Sequence, residues 1–237
     1  MQVESITNQG LHRLNNEDRC LVNILDNDCA LLAIADGMGG HAGGEVAAEL
    51  ALESFAGYRP SGPDIRAALL NQILEAQKRV VERSRACRSL KGMGTTLTAL
   101  FITGKSAFWA HVGDTRIYLL HEGSLTRITE DHTVPGMLLK KGEITLEQAR
   151  VHPYGNVLTR CVGSCCDRPD PDSGTFGLTH GDHVLLSSDG LHDLISDEQI
   201  AAFLSVDVTL TEKLDRMISA CLEAGGTDNI TAVVARI

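Results

Sequence analysis

Cationic residues are scarce in this chain: 21 Lys and Arg stand against 31 Asp and Glu, for a formal charge of -10. That imbalance opposes binding to the nucleic-acid backbone and to anionic membrane surfaces, so neither is expected as a partner. Proline is sparse as well, at 6 residues against 23 glycines. With no internal repeat, low-complexity tract or Pro/Ser-rich linker, a fibrous or disordered chain is excluded. No apolar run approaches the roughly 18 residues of a membrane span. The start, Met1-Gln2-Val3-Glu4-Ser5, lacks the basic and apolar parts of a signal peptide. A cytoplasmic location is therefore the expectation. The seven cysteines, Cys161, Cys165 and Cys166 among them, lack paired C-x-x-C spacing and are expected to be mostly reduced thiols rather than zinc ligands.

Several catalytic signatures are missing too. No cysteine is followed six residues later by arginine, as a thiolate phosphatase requires, and neither H-E-x-x-H nor G-x-S-x-G occurs. Gly104-Lys105-Ser106 resembles the end of a P-loop, but the strand-like residues before it favour a hairpin turn. Asp170-Pro171-Asp172-Ser173-Gly174 resembles a calcium loop, but its proline and the missing glutamate favour an ordinary loop.

What is present is ordinary globular composition, 43% hydrophobic over 237 residues, enough for a core of one large domain spanning 1–237. Short β-type runs recur at Ala30–Ala35, Thr95–Ile102, Ser106–Val112, Arg116–Leu120, His183–Ser187 and Asn229–Arg236. Helical periodicity marks Gly44–Phe55, Asp64–Arg85 and Leu210–Ala224, the last with Thr211 as a candidate cap. The helices cluster rather than alternating with strands, so antiparallel sheet with helices packed on it is favoured over a doubly wound parallel sheet.

The chemistry lies in carboxylates beside turns: Glu17 and Asp18, Asp36-Gly37, Gly113-Asp114, Asp189-Gly190 and Asp228. A single Asp-Gly pair reads most simply as a β-turn. Asp36 and Asp189 differ, because each ends a strongly apolar run, Ala30–Ala35 and Val184–Ser188. Carboxylates gathered at the edge of buried strands repel one another unless protonated or bridged by cations. An all-oxygen donor set favours Mg²⁺ or Mn²⁺ over zinc, and two such ions suit in-line displacement at phosphorus.

Taken in order, Gly10-Leu11-His12-Arg13 with Asn16-Glu17-Asp18, Asp36-Gly37-Met38-Gly39-Gly40-His41, Gly92-Met93-Gly94-Thr95-Thr96, Gly113-Asp114-Thr115-Arg116, Ser188-Asp189-Gly190-Leu191 and Thr227-Asp228-Asn229-Ile230-Thr231 resemble the protein phosphatase 2C family, in its compact bacterial form. The resemblance extends over nearly the whole chain. It implies an α+β fold, a central sandwich of two antiparallel sheets flanked by helices on both sides, with a flap segment at about 129–152. It implies hydrolysis of phosphoserine and phosphothreonine in proteins by water activated at two Mn²⁺ or Mg²⁺ ions, with a weaker third ion at Asp114. In that scheme Asp36 bridges the two core ions, Gly37 offers its carbonyl, and Asp189 and Asp228 hold the first ion. Glu17 reaches the second through water, Asp18 orients water, and Arg13 binds the substrate phosphate.

Met38 stands where better-known members carry a proposed general acid. His41 is a candidate for that role, beside a water donor and the plain reading of a surface histidine. For Asp114 the plain reading is a turn ion pair with Arg116, and for 129–152 a long loop with one short helix at Leu146–Val151. Expected partners are phosphorylated proteins, including a serine/threonine kinase or its substrates, and the expected state is a monomer. Two other functions compete: a phosphoprotein-binding relative that has lost its ligands, and a hydrolase of small phosphoesters.

Overall fold

The computed structural model describes residues 1–39, 43–59, 64–163 and 168–237. Its architecture follows from the parity of one strand. In β3 (Cys29–Met38) Leu31, Ala33 and Ala35 pack with helices α1 (Gly43–Glu53) and α2 (Ile65–Ala86). Their neighbours Ala30, Leu32 and Ile34 enter a second apolar layer on the other face. A strand covered on both faces needs a continuous apolar run, and Ala30–Ala35 is one.

That second layer lies between two sheets. One is seven-stranded, in the order β10 (Asp172–Gly177), β6 (Ser106–Val112), β5 (Leu97–Thr103), β3, β4 (Gly94–Thr95), β9 (Val162–Gly163), with β2 (Asp18–Asp26) also paired to β3. The other is five-stranded, in the order β1 (Gln2–Asn8), β12 (Ile230–Arg236), β11 (His183–Ser187), β7 (Arg116–His121), β8 (Ser124–Arg127). All these pairings are antiparallel.

Parity repeats in the five-stranded sheet. Val184 and Leu186 of β11 and Val233 and Ala235 of β12 face the seven-stranded sheet. Leu185, Ala232 and Val234 face helices α5 (Asp189–His192), α6 (Asp197–Ser205) and α7 (Leu210–Glu223). The result is the expected helix-sheet-sheet-helix sandwich. Each fully buried leucine contributes about 2 kcal/mol. An exposed pair such as Arg79 with Glu75 contributes at most about 1 kcal/mol. The apolar layers therefore set the architecture.

Local signals explain most boundaries, and the differences from expectation have physical causes. Asp64 caps α2 by accepting from the Ala67 N–H at 3.0 Å. Helix α7 is capped by Thr209, which accepts from the Glu212 N–H at 3.2 Å, not by Thr211. The run Thr95–Ile102 is two strands, broken at Thr96, whose hydroxyl is taken by the Asp36 N–H. Gly104-Lys105 is a hairpin turn, since Thr103 pairs with Ser106. Asp172–Gly177 is the edge strand β10 rather than a loop, because its backbone completes the β6 ladder.

The segment 129–152 holds two helices, α3 (Val134–Lys140) and α4 (Leu146–Arg150), where one was expected. Thr133 caps α3 and Pro135 sits in its first turn, a position that needs no N–H donor. Cys161 is disulfide-bonded, contrary to the reduced state expected of it. Among the described residues no helix is long and apolar enough to cross a membrane.

Candidate active site

The ends of six strands bring the carboxylates together at one edge of the sandwich. Asp18 opens β2 and Asp36 nears the end of β3, and the two are cross-strand partners in the antiparallel register. Asp114 lies in the connection from β6 to β7, which carries the chain from one sheet to the other. Asp189 follows β11, and Asp228 precedes β12, the neighbour of β11. Antiparallel pairing thus assembles residues more than two hundred positions apart.

Backbone hydrogen bonds hold the frame. The Asp36 N–H donates to Thr96 Oγ1 at 2.9 Å, while the Thr95 hydroxyl donates to the Asp36 carbonyl at 2.8 Å. This gives the Gly92–Thr96 motif a positioning role. At Gly37 a Cβ would lie 2.2 Å from the Gly44 carbonyl oxygen, so only glycine admits α1 this close. Ser188 Oγ donates to Asp18 Oδ2 at 2.7 Å.

Asn229 was not singled out from the sequence. Its Oδ1 accepts from the Glu17 N–H at 2.8 Å, and its Nδ2 donates to the Gln9 and Asn15 carbonyls at 2.8 and 2.9 Å. It thereby clamps the loop carrying Arg13 and Glu17 against Asp228. In sequence it stands within the motif Thr227–Thr231, with no role of its own attached.

The electrostatics are those of an uncompensated acidic cluster. Burial, then the charges of Asp18, Asp189 and Asp114, raises the Asp36 pKa well above the ordinary carboxylate value. Burial followed by Asp114 and Asp228 does the same to Asp189. Burial pushes Asp18 up to about 6 despite the Ser188 hydrogen bond. Burial and then Asp131 push Asp114 up to about 7. Arg13 stands at the cluster, its Nη2 donating to Asp228 Oδ2 at 2.5 Å. Glu17 lies at the α1 N-terminus, where a Cβ on Gly44 would come 2.7 Å from its Oε2.

Whether the residues fit a metal is answered by three observations. Asp189 Oδ1 is buried with no hydrogen-bond partner, an orphaned acceptor that a cation would satisfy. The donors are all oxygens, matching hard divalent ions. The raised pKa values mark charge that the protein alone does not neutralise. Among the described residues, no group of three or more His, Cys, Asp or Glu side chains is already drawn tightly enough to cage an ion.

A family model described as protein phosphatase 2C matches residues 11–234. The chain belongs to the protein phosphatase 2C family. Among curated relatives, a Streptococcus pyogenes protein named as a putative protein phosphatase 2C-type is 37% identical over 98% of this chain and 95% of its own length. The crystal structure of the Mycobacterium tuberculosis serine/threonine phosphatase PstP/Ppp superposes with a TM-score of 0.92 at 37% identity, covering 100% of this chain and 98% of that one. A structure of the PstP catalytic domain in complex with two manganese ions matches with a TM-score of 0.88 at 36% identity, over 99% and 97% of the two chains.

In this protein phosphatase 2C fold one further sequence reading changes. Arg116 does not pair with Asp114: its Nε and Nη2 donate to Asp131 Oδ1 and Oδ2 at 2.9 and 2.7 Å. His41 lies outside the described residues. The base of the 129–152 segment is pinned rather than loose. The His132 N–H donates to the Gly113 carbonyl at 2.7 Å, and the Thr159 N–H donates to the His132 carbonyl at 2.7 Å. At Gly136 a Cβ would meet the Asp131 carbonyl oxygen at 2.2 Å. Close packing, not mobility, accounts for that glycine.

Proposed function

We propose that this chain hydrolyses phosphoserine and phosphothreonine in proteins, using two Mn²⁺ or Mg²⁺ ions held at the carboxylate edge. The observation that carries this reading is the gathering of Asp18, Asp36, Asp114, Asp189 and Asp228 around an orphaned, buried Asp189 Oδ1. The retained ligand set favours an enzyme over an inactive phosphoprotein-binding relative, and the serine/threonine phosphatase names of the relatives favour protein over small phosphoester substrates.

When bound, the ions supply a water of lowered pKa and a clamp on the phosphoryl oxygens. Asp36, with the Gly37 carbonyl beside it, would be shared between the two ions, and Asp189 and Asp228 would hold the first. Glu17 would reach the second ion through water, and Asp18 would orient water. Arg13 grips two phosphate oxygens with its planar fork once Asp228 is engaged by metal. Asp114 anchors a weaker third ion. With Met38 carrying no ionisable group, solvent water donates the proton to the leaving alkoxide, with His41 as the alternative. In this reading residues 1–237 form one catalytic domain of a cytoplasmic monomer, with 129–152 as a flap and phosphoproteins under a serine/threonine kinase as partners.

Turnover of a phosphothreonine peptide should require added Mn²⁺ or Mg²⁺ and vanish in Asp36→Asn and Asp189→Asn. Full activity of chelator-stripped protein in EDTA, or near-normal rates in either variant, would overturn the two-ion mechanism.

A further inference from the structure

The strands that end at the carboxylates begin or finish, at the opposite edge of the sandwich, around a cavity of about 460 Å³. His183 opens β11 and Arg236 closes β12, so both stand as far from Asp189 and Asp228 as those strands allow. Lys213 of α7 completes a cationic lining. The volume lies in the range of small-molecule sites.

Three observations distinguish this cavity from an incidental surface hollow. His183 is 8% exposed, and neither ring nitrogen has a hydrogen-bond partner. An imidazole always carries at least one N–H, and here it has no well-formed acceptor, although the Gly181 backbone lies close enough to raise its pKa. Lys213 is 3% exposed, and its Nζ donates to the Leu204 and Val206 carbonyls; an ammonium there has one N–H left over. Finally, the carboxylates around the cavity do not answer these donors. Asp182 is committed to His121 and to the Thr179 N–H, at 2.8 Å each. Glu122 and Asp207 are exposed to solvent. Among the described residues neither Lys213 nor Arg236 forms an ion pair.

We propose that this cavity binds a small oxyanion, a molecule bearing a phosphoryl or carboxylate group, held by His183, Lys213 and Arg236. Such a ligand accepts from the imidazole N–H, from the remaining ammonium N–H and from the guanidinium fork of the exposed Arg236, and it offsets the electrostatic repulsion between Lys213 and Arg236. The electrostatics agree: burial, then Lys213 and Arg236, push His183 down to about 4, so in the free protein the ring is neutral. The inference is independent of the metal-dependent reaction, because none of its residues belongs to that site.

The test is NMR of the imidazole nitrogens in the full chain, in EDTA at neutral pH, with the His183 signals assigned by their loss in His183→Gln. Inorganic phosphate, citrate and sodium chloride at matched ionic strength are the probes. A saturable shift of the His183 ring nitrogens with phosphate alone supports a phosphoryl ligand, with citrate alone a carboxylate, and with both a general oxyanion site. Arg236→Gln should weaken that binding about tenfold, the loss of one charge-assisted contact. Arg13→Ala, at the other edge, should leave it unchanged. No shift, a shift equal to that from sodium chloride, or an affinity unaltered in Arg236→Gln would overturn the proposal and leave a water-filled cavity.

Discussion

At the scale of single residues, Asp114 is the sharpest case. Its neighbour Arg116 is bound at Nε and Nη2 by Asp131, so Asp114 has no ion pair to lose. Asp114→Ala removes a buried carboxylate that burial and then Asp131 hold at a pKa of about 7, and thermal stability should stay level or rise. If Asp114 anchors a third ion, turnover falls at least about tenfold while two ions still bind, because a catalytic charge is lost without touching the core pair. Calorimetric Mn²⁺ titration beside peptide kinetics checks both halves, and wild-type turnover would remove the catalytic assignment. Arg13 makes a different demand. Its side chain is 52% exposed, so Arg13→Ala should scarcely alter stability. Steady-state kinetics should show KM raised more than kcat is lowered, and an unchanged KM with a collapsed kcat would move Arg13 to the chemical step.

At the scale of elements, the attachment of the 129–152 segment depends on a buried ion pair. The Arg116 and Asp131 side chains are 16% and 15% exposed. Burial alone would raise the Asp131 pKa, but hydrogen bonds from Arg116 hold it well below the usual carboxylate range. A depressed folded-state pKa means stability that is fully present above the unfolded value, about 3.9, and is lost as pH falls below it. Asp131→Asn should therefore cost about 3–5 kcal/mol at neutral pH, since it leaves Arg116 buried and unpaired. In urea unfolding, the gap between variant and wild type should close below about pH 3.9. A gap that persists undiminished in acid would assign the effect to packing instead. The same anchoring places Gly136 on the Asp131 carbonyl, while Pro135 is buried in the first turn of α3.

At the scale of the whole molecule, the five-stranded and seven-stranded sheets meet their cost of charge at one edge. Metal binding should relieve it, so Mn²⁺ at a hundredfold excess over its Kd should stabilise the protein by about 2.7 kcal/mol. Asp36→Asn and Asp189→Asn should keep or raise the metal-free melting temperature while losing most of the Mn²⁺-induced increase. An equal increase in all three proteins would place the binding elsewhere. Much of this was legible in the sequence. The run Ala30–Ala35 and the matching run Val184–Ser188 announced buried strands, and the carboxylates ending them announced a site, because apolar continuity and abrupt charge are local properties. The weaker strands β1 and β2 were missed, since edge strands half-buried on each face show no clean alternation. Tertiary structure alone decided the rest: that Asp18 pairs in register with Asp36, that Asn229 clamps the loop of Glu17, and that Arg116 chooses Asp131 over Asp114. Each joins residues that the sequence spaces far apart or offers with rivals close by. Partner choice among buried charges depends on geometry that only the folded sheets provide.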